Sequence, residues 1–331
     1  MQKVTFRYLS QEDILKVRIS YEQIIDTIEK TMAAKGRDMV ECPPKPGIHT
    51  RHDTFIHAMP AFVKDRDICG MKWVCGYPDN YKFDLPQIAG LIIYNSPETG
   101  MPLAVMDCRW VTAVRTAAVS AVTTKYCKPK DTKVLTIIGA GVQGRFHAIM
   151  LKIVAPEIEK IFVTDIKPGA AEQLAADLKD VVDAEIIPTT DVEGSVKAAD
   201  IVLTATQRVP EPIVHFDWIQ PGTLGLALEA SRAWDGKSIL GADKYITDDW
   251  DLTVSYKAQG AFPDGLPKNH NTLGKIIIGE EPGREHDEDF ILAINEGMAI
   301  SDIALAADLY EAACEQNIGI ELPLMEEDSI F

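Results

Sequence analysis

Lys133-Val134-Leu135-Thr136-Ile137-Ile138-Gly139-Ala140-Gly141-Val142-Gln143-Gly144 is an apolar run that ends in Gly-x-Gly-x-x-Gly. The residues that follow, 145 to 154, carry an amphipathic helical pattern. A strand, a glycine turn and a helix in that order form the context a dinucleotide fingerprint requires. The first glycine permits a tight turn, the second lets the backbone approach a pyrophosphate, and the third lets helix and strand pack closely. The helix start offers N–H groups and the positive end of a dipole to phosphates. A second strand, Lys160–Thr164, ends in Asp165, 21 positions beyond Gly144. That spacing suits a carboxylate that binds ribose hydroxyls and repels a 2′-phosphate, so NAD is favoured over NADP. Lys167, two residues later, blunts that preference and keeps NADP possible.

Downstream, strand-like runs at Ala184–Ile187, Ile201–Thr204, Thr223–Leu228 and Lys244–Thr247 alternate with helical or loop segments. Such alternation implies an α/β domain, a doubly wound parallel sheet of Rossmann type with helices on both faces. From His286 to Gln316 the pattern reads as helical, with Ile291, Ile294, Met298, Ile303 and Leu309 on an apolar face. This tail is expected to follow a completed sheet and to pack on the N-terminal domain, closing a cleft between the two. Upstream, Ser10 and Asp13 form a capping-box pattern that starts a helix running through Ile25 and Met32 to about Gly36. Strand-like runs follow at Thr54–Val63, Ile68–Tyr77, Ala89–Asn95 and Pro102–Met106, with a turn at Pro97–Gly100. They imply an antiparallel or mixed sheet, followed by a helix over Trp110–Cys127. Lys128-Pro129-Lys130-Asp131 breaks that helix and marks a domain crossover. The expected division is 1–128 plus 304–331 for one domain and 129–303 for the dinucleotide domain.

The chain has 331 residues, 46% hydrophobic and 25% charged, which favours two globular domains. A formal net charge of -17 disfavours nucleic acid and anionic membranes as partners. Local basic residues still permit a small anionic substrate. Six scattered cysteines with no metal-like spacing read as reduced thiols in the cytoplasm. The N-terminal residues lack an apolar signal region, and no uncharged run approaches the length of a membrane span. The acidic run Glu285–Asp289 reads as a solvated helix start rather than a metal site.

Ligands of an open parallel sheet bind at the carboxyl ends of its strands, which makes Thr204 and Thr206 candidates. Lys72 stands inside the apolar run Gly70–Val74, and Arg115 inside a small-residue helix. A buried cation is costly unless paired, so each either binds an anionic substrate group or makes a structural ion pair. Lys45, Arg51, His52 and His57 are weaker candidates, because an exposed loop or edge explains them equally well.

Together these segments resemble the ornithine cyclodeaminase/mu-crystallin family over nearly the whole chain. The resemblance rests on Met59-Pro60-Ala61, Gly70-Met71-Lys72-Trp73-Val74, Asn95-Ser96-Pro97-Glu98-Thr99-Gly100-Met101-Pro102 and Arg115-Thr116-Ala117-Ala118. It continues through Ile138–Gly144, Ala199-Asp200-Ile201-Val202 and Gly297-Met298-Ala299-Ile300-Ser301-Asp302. It implies a homodimer in which a Rossmann domain is inserted into an α+β substrate and dimerisation domain. The implied chemistry is hydride exchange between nicotinamide and the α-carbon of an amino or imino acid. By the same resemblance Lys72 and Arg115 meet the substrate carboxylate, with Lys45 at another carboxylate-binding position. Gln87, Arg115, Thr116, Gly139, Gly141, Val142, Gln143, Gly144, Asp165, Thr204, Thr206, Ser231 and Asn295 fall at cofactor positions. Glu296 falls beside the nicotinamide and substrate.

Two departures narrow the reaction. Cyclodeaminases carry an acting Asp after the strand Thr223–Leu228, and Ser231 stands approximately there. Glu296 replaces a residue that is usually apolar, and it would either hold an amino group or repel a second carboxylate. The expected activity is therefore an NAD(P)-dependent imine reductase or amino-acid dehydrogenase, with Lys72 or Lys45 as the acid–base group. The alternatives are an ornithine cyclodeaminase-type ammonia lyase with recycled NAD, and a mu-crystallin-like protein that binds cofactor and ligand without turnover.

Overall fold

The computed structural model describes residues 3–207, 209–229 and 232–325. The first elements are β1 (Val4–Leu9), α1 (Gln11–Lys16), α2 (Tyr21–Gly36), β2 (Val40–Glu41), β3 (Gly47–Ile48), β4 (Phe55–Val63) and β5 (Ile68–Gly76). They are followed by β6 (Ile88–Asn95), β7 (Pro102–Asp107) and α3 (Arg109–Cys127). The alternating segment comprises β8 (Val134–Ile138), α4 (Val142–Val154), β9 (Lys160–Thr164), α5 (Ala170–Leu178), β10 (Glu185–Pro188), α6 (Val192–Lys197) and β11 (Ile201–Thr204). It continues with β12 (Leu224–Ala227), α7 (Gly236–Gly241), β13 (Lys244–Thr247), α8 (Trp250–Ala258), β14 (His270–Thr272), α9 (Leu273–Ile277) and β15 (Ile291–Ile294). Last come α10 (Ala299–Glu315) and β16 (Ile320–Met325).

The chain divides into two units, Met1–Arg115 with Met298–Phe331, and Thr116–Gly297. The first division falls within α3, earlier than the Lys128–Asp131 breaker where a change of sequence pattern places it. The second falls just before α10, so the whole of that helix belongs to the first unit.

The first unit holds a mixed sheet in the order β16-β1-β7-β6-β5-β4-β2, with β3 also paired to β4. Alternation along β5 puts Ile68, Lys72 and Val74 on a buried face, and α10 packs on β4, β5, β6 and α2. The opposite face carries Met71, Trp73, Leu91, Ile93 and Val105 at matching register positions. Trp73 and Leu91 are 43% and 42% exposed there. Ser10 caps α1 as expected, but the helix stops at Lys16. A second capping box, Ser20 with Gln23, starts α2. The apolar spacing runs through both helices, so periodicity alone reads as one helix, whereas the extended backbone at Val17 and Ser20 makes two.

The second unit is an eight-stranded sheet in the order β10-β9-β8-β11-β12-β15-β13-β14. Every pairing in it is parallel. Apart from half-buried Val134, its central strands are buried along their length, as expected of a parallel sheet covered on both faces. Trp234, 1% exposed, stacks on Phe290 with ring centroids 6.2 Å apart and anchors the core on one side.

The segment 286–316 is not one helix. Residues 286–289 form a turn closed by His286 N–H on Asp289, and Ile291–Ile294 is a strand between β12 and β13. The sheet is therefore incomplete until β15 joins it. A short run buried on both faces has the same apolar signature in a helix and a strand, and periodicity does not separate them. Gly297, at φ 77, then turns the chain into α10.

Candidate active site

In the first unit, three charged side chains from distant parts of the chain meet. Lys72 lies on β5 between Met59 and Ile92, its register partners on β4 and β6. It is 1% exposed. Its Nζ is 2.7 Å from Asp302 Oδ2. Arg115, from α3, donates through Nε to Asp302 Oδ1 at 3.2 Å. Asp302 stands in the first turn of α10 and is fully buried.

Two cations thus share one carboxylate in a dry place, and the trio carries one unmatched positive charge. Burial lowers the Lys72 pKa to about 8. Asp302 opposes that shift and Arg115 adds to it. Lys72 therefore keeps its proton near neutrality yet gives it up far more readily than an exposed lysine.

Lys45 lies between β2 and β3, half-buried. Its charge and that of Lys72 both act on His57, which stacks on Phe55 at 4.4 Å. Burial first, then Lys45, His49 and Lys72, lower the His57 pKa to about 4, so its ring is neutral. Gln87 is held by the turn before β6, donating to the Pro78 carbonyl at 3.1 Å.

In the second unit, the glycine turn sits at the carboxyl end of β8. A side chain at Gly139 would place Cβ 2.5 Å from the Ala205 carbonyl, and one at Gly144 would place it 2.2 Å from the Gly139 carbonyl. A Cβ at Gly141 meets nothing within 4 Å. The first and third glycines therefore serve packing, and the second leaves an open approach to the backbone. Gly141 is also the N-cap of α4, and no side chain caps that helix. A helix start leaves its first-turn N–H groups, here at Val142 and Gln143, without intrahelical partners, which suits an anion. Asp165 accepts from Ala140 N–H and Lys167 N–H, each at 2.7 Å, which fixes its carboxylate beside the turn. A groove of about 350 Å³ adjoins it, lined by Asp165, Lys167, Gly169, Glu172 and Thr189 among others. This open cradle and fixed acid fit a dinucleotide.

The remaining expected positions line the strand ends unevenly. Thr204 is fully buried, and its hydroxyl accepts from Trp234 Nε1 at 3.0 Å. Thr206, half-buried, donates to Glu229 Oε1 at 2.8 Å. Thr116 follows Arg115 in α3, half-buried. Asn295 donates to Thr123 at 3.0 Å. Ser231 lies outside the described residues.

Four residues at these sites, Asp302, Asp248, Tyr245 and Glu229, are not singled out by the sequence. Asp302 was visible only as the last letter of a motif, and its partner Arg115 is 187 positions away. Asp248, fully buried after β13, accepts from Glu296 N–H and Gly297 N–H, each at 2.8 Å, and fixes the loop that carries Asn295 and Glu296. Burial and the adjacent Glu296 charge push the phenol of Tyr245 well above its usual range. Glu229 accepts from Thr206 and from Leu228 N–H, and burial pushes its carboxyl above the usual range.

Residues 7–317 match the model of the ornithine cyclodeaminase/mu-crystallin family. The chain is 35% identical over 314 residues to the nodulation efficiency protein NfeD of Rhizobium meliloti, covering 95% of this chain and 97% of that one. Its fold is similar to that of Thermococcus litoralis Δ1-pyrroline-2-carboxylate reductase solved with NADH and L-proline, with a TM-score of 0.87, 30% identity, and 95% and 99% of the two chains covered. It is also similar to an archaeal alanine dehydrogenase dimer with bound NAD, with a TM-score of 0.86, 29% identity, and 97% and 100% covered. With its glycine cradle and its paired cations beside a buried acid, this chain belongs to the ornithine cyclodeaminase/mu-crystallin family.

Proposed function

We propose that the protein is an NAD-dependent imine reductase or amino-acid dehydrogenase. It exchanges a hydride between nicotinamide and the α-carbon of a small imino or amino acid. The observation that carries this reading is the buried pair Lys72 and Arg115, which share Asp302 and retain one positive charge for a substrate carboxylate. Gly139–Gly144, Asp165 and Thr206, with Asn295 after β15, would hold the cofactor, which when bound would supply or take the hydride.

The chain's own part is orientation and proton control. Lys72 and Arg115 fix the carboxylate, which orients the adjacent α-carbon and its nitrogen. Lys45 and the neutral ring of His57 lie in the same electrostatic neighbourhood as Lys72. Of the two lysines, Lys72 is the one the fold desolvates, so it is assigned the proton held or released during turnover. By the family resemblance, Glu296 would either hold an amino group or repel a second carboxylate. Ser231 in place of an acting aspartate disfavours the lyase.

The testing experiment is a screen of NADH and NADPH oxidation against α-keto acids with ammonia, alkylamines or amino acids, and against preformed cyclic imines. Oxidation of NADH by at least one of them is expected. Ammonia release from ornithine with no net change in NADH would assign the lyase reaction instead. Cofactor binding without oxidation across the panel would leave only a binding role.

The exposed apolar face of the first unit's sheet supports a homodimer. Replacing Trp73 and Leu91 by glutamate is expected to yield monomers by light scattering. Six free thiols suit a reducing, cytoplasmic compartment. Among the described residues, no helix is long and apolar enough to cross a membrane.

A further inference from the structure

We infer that Asp302 is the positioning residue of the carboxylate pocket: it aligns Lys72 and Arg115 and keeps the lysine charged, so that the pair presents one unmatched positive charge to a substrate. This rests on the reading of Lys72 and Arg115 as the carboxylate-binding pair.

The geometry separates this role from an ordinary ion pair. A structural pair matches one anion to one cation. Here a single carboxylate spans two cations, taking Lys72 through Oδ2 and Arg115 through Oδ1. It engages only Nε, one of the five donors of the guanidinium. Lys72 comes from β5 and Arg115 from α3, and the anion comes from α10, which packs on β5.

The other titratable groups in this sector are Cys108, His57, Lys45 and Asp107, which acts on Cys108 together with Lys72 and Asp302. Burial pushes the Cys108 thiol, just before α3, up to about 11, so it is uncharged. His57 on β4 is neutral, and Lys45 adds a further cation at the pocket's edge. Asp302 is thus the anion in direct contact with both Lys72 and Arg115. Without it, burial and the Arg115 charge would both drive the proton off Lys72. A neutral amine binds a carboxylate poorly, so Asp302 sets the pH range over which the substrate is held.

The experiment is calorimetric titration of pyruvate into the NADH-loaded enzyme between pH 6 and 9.5, for wild type, Asp302→Asn and Asp302→Glu. NADH affinity and Tm are measured beside it. Wild-type affinity is expected to be flat below about pH 8 and to fall above it. In Asp302→Asn the break moves down by about 1 pH unit or more, and Asp302→Glu returns it towards the wild-type position. NADH affinity is unchanged in both. An Asp302→Asn enzyme that binds NADH normally and keeps the wild-type break overturns the assignment. If that variant does not fold, Lys72→Gln combined with Asp302→Asn removes cation and anion together. Pyruvate binding by this pair is expected to lose the break, and its persistence overturns the assignment. Absence of pyruvate binding to wild type overturns both this inference and the reading beneath it. A break that moves as expected, in an enzyme that reduces no imine, leaves Asp302 in place and removes only the proposed reaction.

Discussion

In the cofactor site proposed for the second unit, the atoms offered to a ligand belong to the main chain: N–H groups at the start of α4, beside a residue with no side chain. In the substrate site proposed for the first unit they belong to long side chains, Lys72 and Arg115, held by a carboxylate from another part of the sequence. The main-chain site is local, contained within a dozen consecutive residues. The side-chain site is assembled by folding and owes its charge state to burial. A site made of backbone tolerates few changes of shape, and a site made of buried charge tolerates few changes of balance.

The sharpest way to break this contrast is Lys72→Met. It leaves Asp302 with one partner and removes the ammonium from the carboxylate. A loss of about 10²- to 10³-fold in kcat/KM is expected, with NADH affinity unchanged by fluorescence titration. A comparable loss of NADH binding would show that the two sites are not separate in function.

The glycines sharpen the other half. Gly139→Ala forces a Cβ against the Ala205 carbonyl at a φ of +116, where side chains are rarely tolerated. It is expected to cost about 3 kcal/mol and lower Tm by roughly 6 °C or more. Gly141→Ala meets no neighbour, so Tm stays put while NADH affinity falls about tenfold. Equal effects of the two substitutions would contradict the division between packing and ligand approach.

The smallest expected effect is the response to pH. On the proposed reading the ammonium form of Lys72 holds the carboxylate, so kcat/KM should be level below about pH 8. Above that value it should fall about tenfold per pH unit. A profile still level at pH 9.5 would remove Lys72 from the pocket.

The same contrast explains what was legible in the sequence. The glycine turn, Asp165 and most strands of both sheets are written in consecutive residues, where turn geometry and periodicity act. Lys72 and Arg115 stood out because each is a cation in apolar company. Their partner Asp302 did not, because nothing local in α10 marks an aspartate that meets a residue 187 positions away. Asp248 was hidden for a related reason: its partners are backbone N–H groups on a loop beyond the next two strands. β15 was misread as helix because four buried apolar residues have no period to read. Val17 to Ser20, where one helix becomes two, was lost because the apolar spacing is continuous across the break.

The position of β15 has a consequence for the nascent chain. β13 and β14 leave the ribosome earlier, yet they join β12 only through Ile291–Ile294. Until those residues emerge, β12 and β13 each present an open edge suited to the wrong partner. α10 emerges immediately afterwards, bringing Asp302 to two cations that until then have no buried counter-charge. Residues 291–315 therefore complete both units within one short interval of synthesis, and a ribosome that stalls before them leaves open strand edges and two cations without their carboxylate to the care of chaperones.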